Sequence, residues 1–145
     1  PLCPIGLGLG RLGNFINVEL PGRVTESSLG LVFPCQAVRD LNPMCFGIWE
    51  GAARHPSSLY QAATEGALLF AVLWWLSLKP QPKGLLSGAF LLGYGVCRFV
   101  TEFLRSPDAH IGFVLLEFIS MGQLLSLPMV IAGGALLYWS QRRAR

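Results

Sequence analysis

The chain has 145 residues, of which 52% are hydrophobic and 13% charged, with a net charge of +3. An ordinary soluble domain carries roughly 25% charged residues, so this composition argues against a water-soluble globule and points to a chain built for lipid. Its basic residues form no stripe interleaved with aromatics, which excludes a nucleic-acid-binding reading.

In chain order, Pro1 to Gly13 is apolar but studded with Gly6, Gly8, Gly10 and Gly13. Each glycine weakens an isolated helix by about 1 kcal/mol, so neighbours must hold this stretch. Residues 1–18 are expected to be the end of a membrane helix and a glycine-rich segment. Gly8-Leu-Gly10-Arg-Leu-Gly13 spells the dinucleotide fingerprint, but that motif needs a strand before it and an acidic residue about 20 positions on. Asn14-Phe-Ile-Asn17 and a proline-broken stretch follow instead, so the match is accidental. The chain opens Pro1-Leu-Cys-Pro4, with neither methionine nor a basic leader, and is expected to be a fragment of a longer protein.

Residues 19–57 are mixed in character, and Pro21, Pro34, Pro43 and Pro56 break any long helix. An outer-face region of loops, short helices or short strands is expected there. Cys35 and Cys45 lie in it; an oxidising compartment would permit a disulfide, and sequence leaves its geometry open.

Residues 58–145 contain three apolar runs, Leu59 to Leu78, Leu85 to Leu104 and Phe118 to Trp139. Each is long enough to cross a bilayer, and so short a chain could not cover three such helices with polar surface in water. The expected fold is therefore an all-α integral membrane protein with three transmembrane helices and an outer-face region. Lys79 to Gly84 reads as a tight turn between spans, and Ser106-Pro107-Asp108 ends the second helix. Lys79, Lys83, Arg142, Arg143 and Arg145 fall on one side, which the positive-inside rule makes cytoplasmic, with the C-terminus. The segment before Leu59 and the loop from Arg105 to Glu117 fall on the other.

Two polar constellations interrupt this apolar frame. Arg11, Asn14, Asn17 and Glu19 end a stretch at membrane depth, where polar groups normally face a cavity, a partner or a substrate. Against that stands a snorkelling arginine with Asn14 capping a helix. Tyr94, Arg98, Glu102 and Arg105 recur at intervals of four, four and three, which makes one polar stripe on a helix. An Arg98 to Glu102 ion pair added for packing is the bland alternative. Arginine before glutamate is the weaker helical order, and a lipid-buried pair seldom gains net stability, so a headgroup site is favoured. Glu65 in the first span either supports that site or is structural. His55 and Tyr60 sit at the outer end of that span, with the tyrosine suited to an interfacial anchor. Cys97 reads as a small apolar residue, and His110 as a surface residue. The four cysteines, at positions 3, 35, 45 and 97, show no zinc-binding spacing.

The run Gly10-Arg-Leu-Gly13-Asn14-Phe-Ile-Asn17-Val-Glu19-Leu-Pro-Gly22 resembles the signature of the prolipoprotein diacylglyceryl transferase family. Further matches follow in order. They are Arg54-His-Pro-Ser57 with Leu59-Tyr60, Gly93-Tyr-Gly95 with Arg98-Phe99 and Glu102-Phe103, Arg105 with Pro107-Asp108, and Ser120 to Ser126. Val18, Pro21, Ser58 and Gln61 depart from the usual pattern. So does the lack of the family's N-terminal membrane helices and of a histidine important for activity, which His55 does not replace.

The resemblance implies a bacterial inner-membrane, multi-pass enzyme. It would transfer the diacylglyceryl group of phosphatidylglycerol to the lipobox cysteine of a prolipoprotein signal peptide within the membrane lipid, with no cofactor or metal. It also implies Arg11, Arg98 and Glu102 as catalytic residues. Arg11, Asn14, Asn17, Glu19, Gly22, Tyr94, Arg98 and Arg105 would bind substrate. A fragment of an anion-conducting transporter or channel, or a structural membrane subunit, are the readings from other classes.

Overall fold

The computed structural model describes residues 1–19, 21–34, 51–105, 113–115 and 119–144. Helix α1 (Cys3–Ile16) is followed, after an outer segment, by α2 (Ser57–Ser77) and α3 (Leu85–Thr101). A 3-10 turn, Glu102–Leu104, extends α3. Strands β1 (Phe113–Leu115) and β2 (Ile119–Ser120) then form a small antiparallel pair before α4 (Met121–Ala144).

The architecture is mostly helical, as expected, with a short antiparallel strand pair beside the helices. The two strands are rich in Phe, Val and Ile, residue types that favour extended backbone. They also move the start of the last helix from Phe118 to Met121.

Two helices, Ser57–Ser77 and Gly122–Arg143, are long and apolar enough to cross a membrane. They are only 28% and 17% buried inside the structure, unlike the core helices of a soluble protein. Helix α3 alone has 17 residues, and Arg98 interrupts its apolar surface. Burial is inverted relative to a water-soluble fold. Trp75 and Ile131 are 70% and 71% exposed, whereas Glu65, Ser57, Ser126 and Ser140 are almost completely enclosed. Large apolar side chains facing outward around a polar interior suit a lipid environment.

Small residues set the packing. A Cβ on Gly66 would lie 2.7 Å from the Gly8 Cα, so α1 and α2 meet backbone to backbone. That contact holds the glycine-rich α1 in helical form, and the supposed dinucleotide fingerprint lies wholly inside it. Helices α3 and α4 cross in the same way. A Cβ on Gly133 would meet the Leu92 backbone and lie 2.9 Å from the Gly88 carbonyl oxygen. Backbone atoms cannot step aside as a side-chain tip can. Gly133→Ala is therefore expected to destabilise the complete protein by about 1–3 kcal/mol, the usual range for overpacking, read as a lowered melting temperature in detergent.

Gly84, at φ +93°, makes the left-handed turn into α3 that the Lys79 to Gly84 link requires. On the outer side, single bridges join Gly22 to Arg105 and both Val24 and Leu31 to Arg54. They tie the segment after α1 to the entrance of α2 and the end of α3. Cys35, Cys45 and His110, and the turn expected at Ser106 to Asp108, lie outside the described residues.

Candidate functional site

The Gly8–Gly66 contact brings α1 and α2 so close that the next polar residue of each meets the other. Arg11, one turn after Gly8, places both Nε and Nη2 3.3 Å from Glu65 Oε2. Glu65 is completely enclosed and sits in a π-helical stretch, Ala62–Leu68, in the middle of α2. A local cause is visible: the Thr64 hydroxyl donates to the Tyr60 carbonyl at 2.8 Å, a bond that competes with the regular ladder. Such π segments occur often at functional positions.

Helix α3 approaches Glu65 from the other side. Arg98 interacts with it electrostatically, as Arg11 does. Thr101 Oγ1 lies 3.5 Å from Glu65 Oε1 but 2.9 Å from the Cys97 carbonyl. Its single proton belongs to the shorter bond. Cys97 Sγ is 3.8 Å from the Thr64 carbonyl, a weak contact that fits a small packing residue.

One turn further along α3, Glu102 takes Arg98 Nη2 at 3.2 Å and Arg105 Nη1 at 3.7 Å. The spacing of the stripe thus makes the ion pair it allows, and the 3-10 turn swings Arg105 back onto the same carboxylate. The start of α4 closes over it, since a Cβ on Gly122 would lie 2.7–2.8 Å from the Glu102 carboxylate atoms. Three arginines and two glutamates therefore alternate in space from α1 through α2 to the end of α3. Among the described residues, the buried Arg98 Nη1 has no hydrogen-bond partner.

The remaining residues singled out in the sequence divide by position. Asn17 caps α1 through its backbone N–H, which donates to the Gly13 carbonyl at 2.9 Å. Val18 next to it has φ +54°, a conformation costly for a β-branched residue, at a position where glycine is usual in the resembled signature. This reversal brings the Glu19 N–H to the Asn14 carbonyl at 2.8 Å. With its amide nitrogen facing the acceptors, Asn14 donates to Glu19 Oε2 at 3.2 Å and to the Gly10 carbonyl at 3.3 Å. Asn14 and Glu19 thus form one unit just beyond Arg11.

Gly22 is a joint. Its N–H donates to the His55 carbonyl at 2.8 Å, and a Cβ there would stand 2.5 Å from Leu104 O and 2.6 Å from His55 O. Tyr94 stacks on Phe90, with ring centroids 6.0 Å apart, and makes no hydrogen bond among the described residues. His55 Nδ1 lies 3.3 Å from the Tyr60 hydroxyl, an outer pair apart from the charged row.

Sequence reasoning leaves Glu65 undecided, meets Gln61 only as a departure from the resembled pattern and Gly122 only inside the Ser120 to Ser126 match, and does not single out Thr101. Gln61 is buried, and its Nε2 has no partner among the described residues. Glu65 carries a signal, an acidic residue alone in an apolar span. Thr101 carries none, because a threonine is ordinary at the end of a helix. No group of three or more His, Cys, Asp or Glu side chains converges as a metal site among the described residues.

Comparison with known proteins gives a consistent result. The family model described as prolipoprotein diacylglyceryl transferase matches residues 1–139. Phosphatidylglycerol–prolipoprotein diacylglyceryl transferase of Chromohalobacter salexigens is 52% identical over 143 residues, covering 99% of this chain and 49% of the relative. The proteins of the same name in Teredinibacter turnerae and Azotobacter vinelandii are 51% and 46% identical, covering 98% and 99% of this chain and 45% and 49% of themselves. The chain spans about half the length of the curated relatives it matches.

Proposed function

The chain belongs to the prolipoprotein diacylglyceryl transferase family, and on that premise we propose that its protein moves diacylglyceryl from phosphatidylglycerol onto a prolipoprotein cysteine. The observation that carries the reading is a pair of buried arginine–glutamate ion pairs on neighbouring helices, Arg11 with the enclosed Glu65 and Arg98 with Glu102. In the reaction, the lipobox thiol loses its proton and its sulfur attacks glycerol C3 of the lipid. A C–S bond forms, the C–O bond to phosphate breaks with its electron pair, and glycerol phosphate leaves.

Negative charge grows on the phosphate as that bond breaks. Guanidinium groups held in a low-dielectric site stabilise the transition state more than the ground state. Arg98, with a buried N–H group to spare, and Arg11 are assigned to the phosphate oxygens. Glu65 and Glu102 hold the two arginines in place, and Arg105 braces Glu102. Glu102 is the remaining catalytic candidate, placed to orient Arg98 or the glycerol hydroxyls. Asn14 and Glu19 line the end of α1 where glycerol hydroxyls would lie, with Asn17 beside them. Gly22 serves the site through the backbone it allows, and Tyr94 borders it on α3. The substrate supplies the nucleophile, so no serine or cysteine of this chain need react.

The same reading sets three crossings, by α2, α3 and α4, in the bacterial inner membrane. Residues 19–57 lie on the outer face, and residues 58–145 form the spanning region with a cytoplasmic C-terminus. The basic clusters at Lys79 to Lys83 and Arg142 to Arg145 support it. Single-cysteine labelling should find Ser28 accessible from the periplasm, and Gln81 and Gln141 from the cytoplasm. Labelling of Ser28 from the cytoplasm only would overturn the orientation.

The transfer itself is tested with the complete protein, phosphatidylglycerol vesicles and a lipobox peptide. The peptide should gain the mass of one diacylglyceryl group on its cysteine, and a Cys→Ser peptide should gain nothing. An unmodified cysteine peptide beside well-folded protein would refute the proposal.

A further inference from the structure

At the opposite end of the bundle from the arginine row, the turn between α2 and α3 and the last turn of α4 line an open cleft. It measures about 450 Å³ and is lined by Pro80, Gln81, Pro82, Lys83 and Arg143. That volume lies within the range of about 300–1,000 Å³ common for small-molecule sites. Gln81 Nε2 donates to the Leu76 carbonyl at 2.9 Å, which anchors the proline turn to the end of α2. The left-handed Gly84 brings that turn against Trp139, and a Cβ at Gly84 would stand 3.8 Å from the indole ring. Arg143 lies over the same ring, its Cζ 3.9 Å from the centroid, and Arg142 covers Tyr138 at 4.7 Å.

The charge at this end is of one sign. Lys79, Lys83, Arg142 and Arg143 cluster here, and every aspartate and glutamate of the chain lies elsewhere in the sequence, between Glu19 and Glu117. Topology and the helix dipole account for basic residues near a helix C-terminus. They do not account for two cations from different elements facing one pocket, with one of them held flat on an indole. A guanidinium stacked in this way keeps its edge N–H groups free to grip phosphate oxygens.

We propose that this pocket binds the phosphate-bearing headgroup of an anionic phospholipid in the adjoining leaflet, at a site separate from the one that holds the transferred lipid. Trp139 and Tyr138 sit at headgroup depth, as interfacial aromatics do, and basic pockets between membrane helices suit anionic headgroups. The proposal goes beyond the transfer reaction and depends only on α2, α3 and α4 crossing the bilayer. The bound lipid would tie the α2–α3 turn to the end of α4.

The test is native mass spectrometry of the complete protein in detergent, titrated with phosphatidylglycerol, phosphatidylcholine or inorganic phosphate. Lys83 and Arg143 are both exposed, so K83Q/R143Q removes charge without opening the core. One phosphatidylglycerol adduct should weaken by about tenfold or more in this variant, from two basic contacts of the usual strength at a membrane surface. The charge-preserving K83R should retain that adduct, and transfer to a lipobox peptide should stay within about twofold of the parent in both. Phosphatidylcholine should not fill the site, and inorganic phosphate should not compete. Equal phosphatidylglycerol binding in parent and K83Q/R143Q, or equal retention of phosphatidylcholine, would overturn the proposal. Displacement by inorganic phosphate would overturn it in favour of a free-anion site. Absence of transfer in the parent would count against the transferase reading and leave the adduct result standing.

Discussion

Alanine in place of Arg11 or Arg98 is expected to lower diacylglyceryl transfer by the complete protein about a hundredfold or more, the loss typical of removing a preorganised donor to developing charge. The two arginines come from different helices and are each held by a buried carboxylate, Arg11 by Glu65 and Arg98 by Glu102. Lysine should rescue poorly at either position. It keeps the charge and loses the planar, two-point grip on phosphate oxygens. Turnover must be read beside membrane insertion and melting temperature, because Arg98 also anchors Glu102. A well-folded Arg11→Ala or Arg98→Ala protein that works at the parent rate would make that arginine structural.

Glu65→Ala is expected to cost about 3–5 kcal/mol of stability, the range for breaking a buried ion pair by removing one partner. The site leaves no cheap alternative. Glu65 is wholly enclosed, Arg11 is only 18% exposed at its side chain, and Arg98 is close enough to be affected as well. Glu65→Gln keeps the shape and part of the hydrogen bonding but leaves Arg11 without its anion, while Arg98 keeps Glu102. It should therefore fold better than Glu65→Ala and still transfer slowly. A double-mutant cycle with Arg11 measures the coupling directly, and additive effects of Arg11→Ala and Glu65→Ala would contradict the shared role.

Much of this arrangement is legible in the sequence wherever one periodicity carries it. Long apolar runs locate α2 and α4 closely, and helical spacing alone places Arg98 and Glu102 within reach of each other. The failures share a physical cause, since they depend on partners distant along the chain. Nothing local to Glu65 says that Gly8 and Gly66 will press two backbones together and deliver Arg11 to it. Nothing local to Gly122 says that its missing side chain leaves room for the Glu102 carboxylate. The strands at Phe113–Leu115 and Ile119–Ser120 are hidden for a related reason, because short apolar runs fit strand and helix alike. Gly22 reads as a binding residue by resemblance, and its actual surroundings are the carbonyls of His55 and Leu104.

A charged row inside a membrane would also suit an anion path, and the two accounts part on what happens to the lipid. The decisive measurement follows both products at once, with the complete protein, phosphatidylglycerol labelled in its headgroup glycerol and a lipobox peptide. The transferase account predicts one glycerol phosphate released for each peptide that gains a diacylglyceryl mass, with both signals lost together in Arg98→Ala. Movement of a small anion across the vesicle wall while phosphatidylglycerol and peptide stay unchanged would contradict it.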